Sequence, residues 1–235
     1  MATYNGAPYV QAQLQSILAS PRVAEVLVSD DGSNDDTQAI IRSFDDPRVR
    51  LLQGPGQGVV RNFEFLLGQA RGEVIFLADQ DDVWLPGKVD NMMKALAGAD
   101  LVVSDCAIVD SQMRTLHPSF FSLRRSGPGL LRNLARNSYI GCCMAMRRKL
   151  LQHALPFPPN VAMHDWWLGL VAQCTGRVFF LDQVLLLYRR HGGNLSSSGE
   201  RSIAPVRQRF MWRLQLLCWL FIRRWRGAFQ AMSGI

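Results

Sequence analysis

Two clusters of acidic residues are the part of this sequence best suited to chemistry. The first is Asp30-Asp31 and the second is Asp79-Gln80-Asp81-Asp82, and each directly follows a short apolar run. Three carboxylates within four residues repel one another, so such a loop usually needs a cation to be stable. Carboxylate oxygens favour Mg²⁺ or Mn²⁺, which normally bind through one or two carboxylates plus substrate phosphates. The alternative is a solvated acidic turn ahead of a helix.

The pattern around these clusters predicts an α/β fold with a mostly parallel central sheet, because short apolar runs alternate with helical patterns. Open sheets of this kind bind ligands at the carboxyl ends of their strands, where both clusters lie. We predict strands at 23–29, 49–53, 73–78, 101–104, 178–181 and 184–188, an apolar segment at 139–146 and a long loop at 111–129. The predicted helices cover 35–44, 59–70, 86–97 and 165–174, and a last one begins near Pro205.

The composition is that of a globular protein whose charge is unevenly distributed. Hydrophobic residues make up 48% of the chain and charged residues 19%, which excludes a disordered protein. Seven of the 26 basic residues lie from Arg201 onward, where no acidic residue occurs, so the first 200 residues hold 19 basic and 19 acidic groups. A neutral body with a basic tail argues against a nucleic-acid partner. Five cysteines without a CxxC pair are typical of a reduced cytosolic protein.

Several short motifs together resemble a known family. They are, in chain order, Thr3-Tyr4-Asn5-Gly6, Asp30-Asp31-Gly32-Ser33, Gly58 with Arg61-Asn62, and Asp79-Gln80-Asp81-Asp82. In order and spacing they resemble family 2 glycosyltransferases, over roughly residues 1–195. The resemblance implies the GT-A fold, a three-layer α/β/α sandwich. Two later segments are similar to the bacterial rhamnosyltransferase branch, namely Met163-His164-Asp165-Trp166-Trp167 and Tyr188-Arg189 with His191 and Asn194.

The resemblance implies a nucleotide-sugar site around the first two strands. Thr3 and Tyr4 would line the base pocket, and Asp31, with Asp30 beside it, would accept a hydrogen bond from the pyrimidine ring N–H. Asp79 would face the ribose or deoxyribose. Asp81 would bind the Mg²⁺ or Mn²⁺ ion that bridges the diphosphate.

Two basic residues receive donor-side roles from the same resemblance. Arg61 would help to hold the nucleotide or the acidic loop, and His191 would lie near the metal or the phosphate. For Arg61 the alternative is a surface ion pair. For His191 the alternative is a solvated loop residue.

The resemblance also implies an inverting reaction with Asp165 as the general base that deprotonates the acceptor hydroxyl. An N-cap role for Asp165 is the alternative. The residue before it in the family is usually acidic, whereas here it is His164, which would tune Asp165 or contact the acceptor. Trp166 and Trp167 would form either a sugar-stacking wall or part of the core.

We therefore expect an enzyme that transfers rhamnose from dTDP-rhamnose to a growing cell-surface glycan, such as an O-antigen. The acceptor would be a lipid-linked saccharide or a polysaccharide, and the enzyme would act in the cytoplasm at the inner face of the membrane. Transfer of another hexose or N-acetylhexosamine from a UDP-sugar is one alternative. An inactive membrane-associated scaffold with the same fold is another.

The tail, residues 196–235, predicts a separate basic and aromatic helix. Five apolar side chains fall on one helical face, namely Phe210, Leu214, Leu217, Phe221 and Trp225. With arginines at both ends and no acidic residue, this helix suits the interface of an anionic membrane. The apolar stretch between Arg213 and Arg223 is only about 14 Å long as a helix, too short for a hydrocarbon core of roughly 30 Å. A helix packed on the domain or in a dimer is the alternative.

The start of the chain carries one further expectation. In the family that the sequence resembles, the segment corresponding to Thr3-Tyr4-Asn5-Gly6 follows an apolar central strand, and here only Met1 and Ala2 precede it. We expect the neighbouring strands to face a gap, with unpaired ladder groups on both sides. On this basis we expect the natural protein to begin upstream.

Overall fold

The computed structural model describes residues 1–191 and 205–232 of the chain, and Asn194 lies outside the described residues. The strands are β1 (Ala2–Thr3), β2 (Val26–Asp30), β3 (Val49–Gln53), β4 (Val74–Phe76), β5 (Val83–Trp84), β6 (Leu101–Val109), β7 (Thr115–His117), β8 (Met144–Arg147) and β9 (Val178–Arg189). The helices are α1 (Val10–Leu18), α2 (Thr37–Arg42), α3 (Val59–Gln69), α4 (Lys88–Leu96), α5 (Phe120–Arg124), α6 (Leu130–Ala135), α7 (Leu151–Ala154), α8 (His164–Thr175) and α9 (Val206–Met232). The alternation of strands and helices that the sequence predicts is confirmed.

The strands form two sheets. The first is entirely parallel, in the order β1-β2-β3. The second has the order β4-β8-β6-β9-β5, with β7 paired to β6, and only its β6–β9 pair is parallel. Every residue of β6 is buried, as expected for a central strand covered on both faces.

A gap separates the two sheets where we expected a missing strand position. β1 has only two residues and pairs with β2, so that Thr3 lies opposite Asp30. Among the described residues, β4 pairs with β8 alone. A cavity of about 480 Å³ lies between β2 and β4, and its lining includes Leu27, Phe63 and Ile75. The two sheets therefore do not join through a hydrogen-bonded ladder.

The structure corrects several predicted boundaries. The strand predicted at 101–104 is β6, which continues to Val109. Helix α4 begins at Lys88 rather than Pro86, because Gly87 adopts a left-handed conformation with φ of 82°. The predicted loop at 111–129 contains β7 and α5, and Asp105 anchors α5 by accepting a hydrogen bond from the N–H of Phe121 at 2.9 Å. The strands predicted at 178–181 and 184–188 are the single strand β9, which pairs with β6 along most of its length. Long-range pairing overrides the local turn signal there.

Helix α1 was not predicted, although its sequence carries the signal. Val10, Leu14 and Ile17 are buried at helical spacing. The buried side chain of Gln13 lies on the same helix and donates a hydrogen bond to the carbonyl of Asp79.

The last helix, α9, packs on the domain through one face. Leu216 and Leu220 are buried, and Trp212 and Trp219 pack against the core. For this face the packed-helix alternative is correct. None of the described helices is long and apolar enough to cross a membrane.

Candidate active site

The acidic loop, residues 79–82, is held in place by two glutamines. The Nε2 group of Gln13 donates to the carbonyl of Asp79 at 2.9 Å. The side-chain amide of Gln80 accepts from the N–H of Tyr4 at 2.9 Å and donates to the Tyr4 carbonyl at 3.0 Å. The segment after β1 and the loop after β4 therefore meet at one sheet edge, although β1 and β4 do not pair. Sequence reasoning missed both glutamines.

The carboxylates of the acidic loop carry more negative charge than the protein neutralises. Burial, together with the charges of Asp81 and Asp165, raises the pKa of Asp79 to about 7. Burial and the charge of Asp81 also raise the pKa of Asp82, which is fully buried. Asp79, Asp82 and Cys142 offer ligand atoms within 4.8 Å of one another. The two carboxylates suit a divalent cation such as Mg²⁺ or Mn²⁺, whereas the Cys142 thiol does not. Asp81, which we predicted to bind the metal, is not part of this group, so its role toward the metal stays a prediction.

The chain at the end of β9 folds back onto the acidic loop. The Arg189 side chain donates through Nε to the carbonyl of Asp81 at 2.9 Å, and the Arg189 N–H donates to Asp82 at 3.1 Å. The Nε2 atom of His191 lies 2.9 Å from Oδ2 of Asp81. Tyr9 stacks on the His191 ring, with centroids 4.6 Å apart, and the Arg189 guanidinium lies 5.1 Å from the Tyr9 ring centroid. Arg189 and Tyr9 were not among the predicted site residues.

Asp165 lies in the first turn of α8, beside the acidic loop. The N-cap of this helix is Met163, so the N-cap alternative for Asp165 is wrong. Burial raises the pKa of Asp165 to about 6, and hydrogen bonds from the backbone of Trp166 and Gly141 limit the rise. A Cβ added at Gly141 would lie 3.6 Å from the Cβ atom of Asp165, and the thiol of the next residue, Cys142, lies within 4.8 Å of a carboxylate oxygen of Asp79. Asp165 and Asp79 therefore lie in the same part of the protein, and the charge of Asp165 contributes to the raised pKa of Asp79.

His164 is a neutral packing residue beneath Asp165. Its ring is buried, stacks on Phe63 with centroids 3.9 Å apart, and has a pKa lowered by burial to about 3. Gly141 lies so close that an added Cβ would be 2.7 Å from the Nε2 atom of His164. His164 is therefore an uncharged ring that packs in the core next to Asp165.

Trp166 and Trp167 belong to the core and do not form a sugar-stacking wall. Trp166 is 7% exposed and Trp167 is not exposed at all. Their indole N–H groups donate to the carbonyls of Asn133 and Ala154 at 2.8 and 2.9 Å. Their hydrogen-bonding groups are thus satisfied inside the protein.

The first acidic pair shapes the end of β2. Asp30 is buried and accepts hydrogen bonds from Ser33, Gln38 and Thr3. Burial alone would raise the pKa of Asp30, but these hydrogen bonds outweigh it and lower the pKa. The Thr3 side chain is therefore used within the protein, whereas Tyr4 is 54% exposed.

Asp31 holds the glycine-rich loop that precedes α3. Its carboxylate accepts from the N–H groups of Gly56 and Gly58 at 2.8 and 2.7 Å. Asp31 directly follows the last residue of β2 and is partly exposed. Asp31 thus connects the loop to the strand end where we predicted the base pocket.

Arg61 forms the ion pair that we considered as an alternative. It pairs with Glu64, and its guanidinium donates to the carbonyls of Phe157 and Pro158. None of these partners belongs to the acidic loop. A direct role of Arg61 toward the nucleotide stays a prediction.

A comparison with known sequence families decides the classification. The family described as "Glycosyl transferase family 2" matches residues 1–155. This chain belongs to glycosyl transferase family 2. The match covers the acidic loop and both ends of the first sheet, and it ends before Asp165 and His191.

Curated relatives match this chain at low to moderate sequence identity. The dTDP-rhamnosyl transferase RfbG of Shigella flexneri is 27% identical over 220 residues, which cover 83% of this chain and 72% of that protein. The uncharacterized glycosyltransferase alr2836 of Nostoc is 27% identical over 212 residues, 83% of this chain and 64% of that protein. The succinoglycan biosynthesis protein ExoO of Rhizobium meliloti is 36% identical over 122 residues, 49% of this chain and 34% of that protein. The chain thus spans less than two thirds of the latter two relatives.

Solved structures confirm the GT-A fold of this family 2 member. TarS 1–349 of S. aureus, in complex with UDP-GlcNAc, superimposes with a TM-score of 0.70 at 18% identity, covering 94% of this chain and 64% of that one. The mannosyltransferase PcManGT of Pyrobaculum calidifontis, in complex with GDP-Man and Mn²⁺, gives 0.61 at 22% identity, covering 96% and 62%.

Proposed function

We propose that this family 2 protein transfers rhamnose from dTDP-rhamnose to a growing cell-surface glycan, with inversion at the anomeric carbon. The observation that carries the proposal is that Asp165 and Asp79 both lie beside the segment Gly141-Cys142, which places a buried carboxylate near the acidic loop. The likeness to the rhamnosyl transferase RfbG along 83% of the chain supports the choice of donor.

On the donor side, Tyr4 and Asp31 receive the base, Asp79 receives the pentose, and Asp81 binds the cation. His191 keeps the Asp81 carboxylate in one orientation by contacting its Oδ2 atom. Arg189 holds the backbone of the same residue by donating to its main-chain carbonyl. When bound there, Mg²⁺ or Mn²⁺ neutralises the charge that develops on the leaving diphosphate.

On the acceptor side, Asp165 takes the proton. The acceptor oxygen forms its bond to the anomeric carbon as the bond from that carbon to the phosphate oxygen breaks. The hydroxyl proton passes to the Asp165 carboxylate, and the electron pair of the broken bond leaves with the nucleoside diphosphate. A pKa of about 6 keeps Asp165 ionised at neutral pH and still makes it a stronger base than an ordinary carboxylate.

The acceptor that we propose is a lipid-linked saccharide or a nascent polysaccharide at the cytoplasmic face of the cell membrane. The five cysteines form no disulfide with one another, which is consistent with that compartment.

Turnover measurements with purified protein test the proposed donor. We expect dTDP to be released from dTDP-rhamnose in the presence of Mn²⁺ and an acceptor, with slower release of UDP from UDP-GlcNAc. Thermal shifts rank the nucleotides independently, because a ligand at 100 times its dissociation constant stabilises by about 2.7 kcal/mol. Binding of dTDP without turnover of any donor would support an inactive scaffold. Preferred turnover of a UDP-sugar would overturn the choice of rhamnose.

A further inference from the structure

Helix α9 has a second apolar face, which points away from the domain. We call it the outer face, and it consists of Phe210, Met211, Leu214, Leu217 and Phe221, between 42% and 64% exposed. An amphipathic helix that packs on a domain normally turns polar residues to solvent. A row of exposed large apolar residues instead marks a surface that binds something.

Two arginines fix the orientation of the outer face. The Arg213 guanidinium donates to the carbonyls of Leu134 and Ala135 at 3.1 and 2.6 Å. The Arg223 guanidinium donates to the carbonyl of Leu155 at 2.8 Å. Because both arginines donate to backbone carbonyls of the domain from two positions along α9, the outer face is held outward. The outer face therefore does not pack on the described part of this domain.

The positive charge of the tail indicates what kind of partner would bind the outer face. From Arg201 to the end the sequence has seven arginines and no acidic residue, and Arg207 lies exposed beside the outer face. Two copies pairing through this face would bring arginine-rich helices together without a carboxylate between them. An anionic lipid surface offers both a hydrocarbon layer for the apolar side chains and phosphate groups for exposed arginines such as Arg207.

We propose that the outer face of α9 lies in the interface of an anionic lipid bilayer and holds the enzyme there. The segment 159–162 contacts Trp212 and Trp219 of α9 around a small cavity, and Asp165 follows three residues later. The acceptor side of the site is thus attached to the helix that contacts the lipid. Resting on the proposed function, this arrangement selects a lipid-linked saccharide as the acceptor, rather than a soluble polysaccharide.

Sedimentation with vesicles tests the proposal. The probes are phosphatidylglycerol vesicles and phosphatidylcholine vesicles, and the variant is Phe210→Gln/Leu214→Gln/Leu217→Gln, which keeps good helix-forming residues. The matched control is Met93→Gln/Leu116→Gln, which removes two comparably exposed apolar residues outside α9. We expect the full chain and the control to sediment with phosphatidylglycerol, less so at high salt. The α9 variant should bind at least about tenfold more weakly.

Two further measurements separate the possible failures. Affinity for dTDP with Mn²⁺ should be equal in the full chain and the α9 variant, so a loss of nucleotide binding would concern the donor site instead. Undiminished vesicle binding by the α9 variant would overturn the proposal. So would a dimer, detected by light scattering, that dissociates in the α9 variant while no form sediments with vesicles, because the occupant would then be a second copy.

Discussion

The imidazole of His191 and the carboxylate of Asp81 contact each other across 110 residues of sequence, with 2.9 Å between Nε2 and Oδ2. Their side chains are 15% and 13% exposed, so the pair lies at the edge of the protein surface, where a ligand can reach it. The end of β9 therefore completes the acidic loop. Donor binding at this loop is expected to depend on the contact between His191 and Asp81.

Asp81→Ala should abolish the metal-dependent part of dTDP binding, because it removes the carboxylate assigned to the cation. Isothermal titration calorimetry with and without Mn²⁺ measures this. Asp90→Ala is the matched control, since Asp90 is a surface carboxylate paired with Arg22. If Mn²⁺ still strengthens dTDP binding in the Asp81 variant, the ion is bound by other residues.

Tyr9→Ala should weaken dTDP binding roughly 2- to 10-fold, because stacking on His191 is worth about 0.5–1.5 kcal/mol. Tyr9→Phe retains the ring and should bind almost as the wild type does. Equal losses in the two variants would show that the Tyr9 hydroxyl, rather than the stacked ring, matters. The same calorimetric titration distinguishes these outcomes.

Asp165→Asn should reduce transfer by roughly 10²–10⁴-fold while dTDP affinity is retained. In the wild type, kcat should rise with pH through about 6, as the Asp165 carboxyl ionises, and this limb should vanish in the variant. A variant that keeps full activity and an unchanged pH profile would exclude Asp165 as the base.

The same variant should not lose stability at neutral pH. The folded-state pKa of Asp165 is raised from 3.8 to about 6, so between these values the folded protein holds a proton that the unfolded chain releases. Stability from this group therefore falls as pH rises through that window and stays low above it. The uncharged amide of the Asp165→Asn variant would lack this cost, so its Tm at pH 7 should equal or exceed that of the wild type. A large drop in Tm would indicate a structural role.

Gly6→Ala should weaken donor binding, because the added Cβ overlaps the Gln80 side-chain amide that joins Tyr4 to the acidic loop. Gly98→Ala is the control, since a Cβ there meets no atom within 4 Å. Affinity for dTDP and thermal unfolding should be measured for both. Unchanged affinity in the Gly6 variant would mean that the contact between Gln80 and Tyr4 does not position the donor site.

The sequence alone determined the features that depend on local pattern and local chemistry. The acidic clusters at the ends of β2 and β4, the bounds of β3 and the helical start near Pro205 were all readable, because strand and helix periods and charge clusters are short-range signals. The short motifs between Thr3 and Asp82, together with the two later segments around Asp165 and His191, were enough to indicate the family. The missed helix α1 carried its own periodic signal at Val10, Leu14 and Ile17.

The tertiary structure decided what depends on neighbours far away along the chain. Pairing with β6 joined two predicted strands into β9, and this carried Arg189 and His191 onto the acidic loop. Burial made Trp167 a core residue and raised the pKa of Asp165, although nothing in their local sequence distinguishes these outcomes from exposure. Desolvation and strand pairing arise only when distant segments meet. For that reason the burial of Asp165, the contacts of Arg189 and His191 and the choice of which α9 face packs on the domain became visible only in the folded chain.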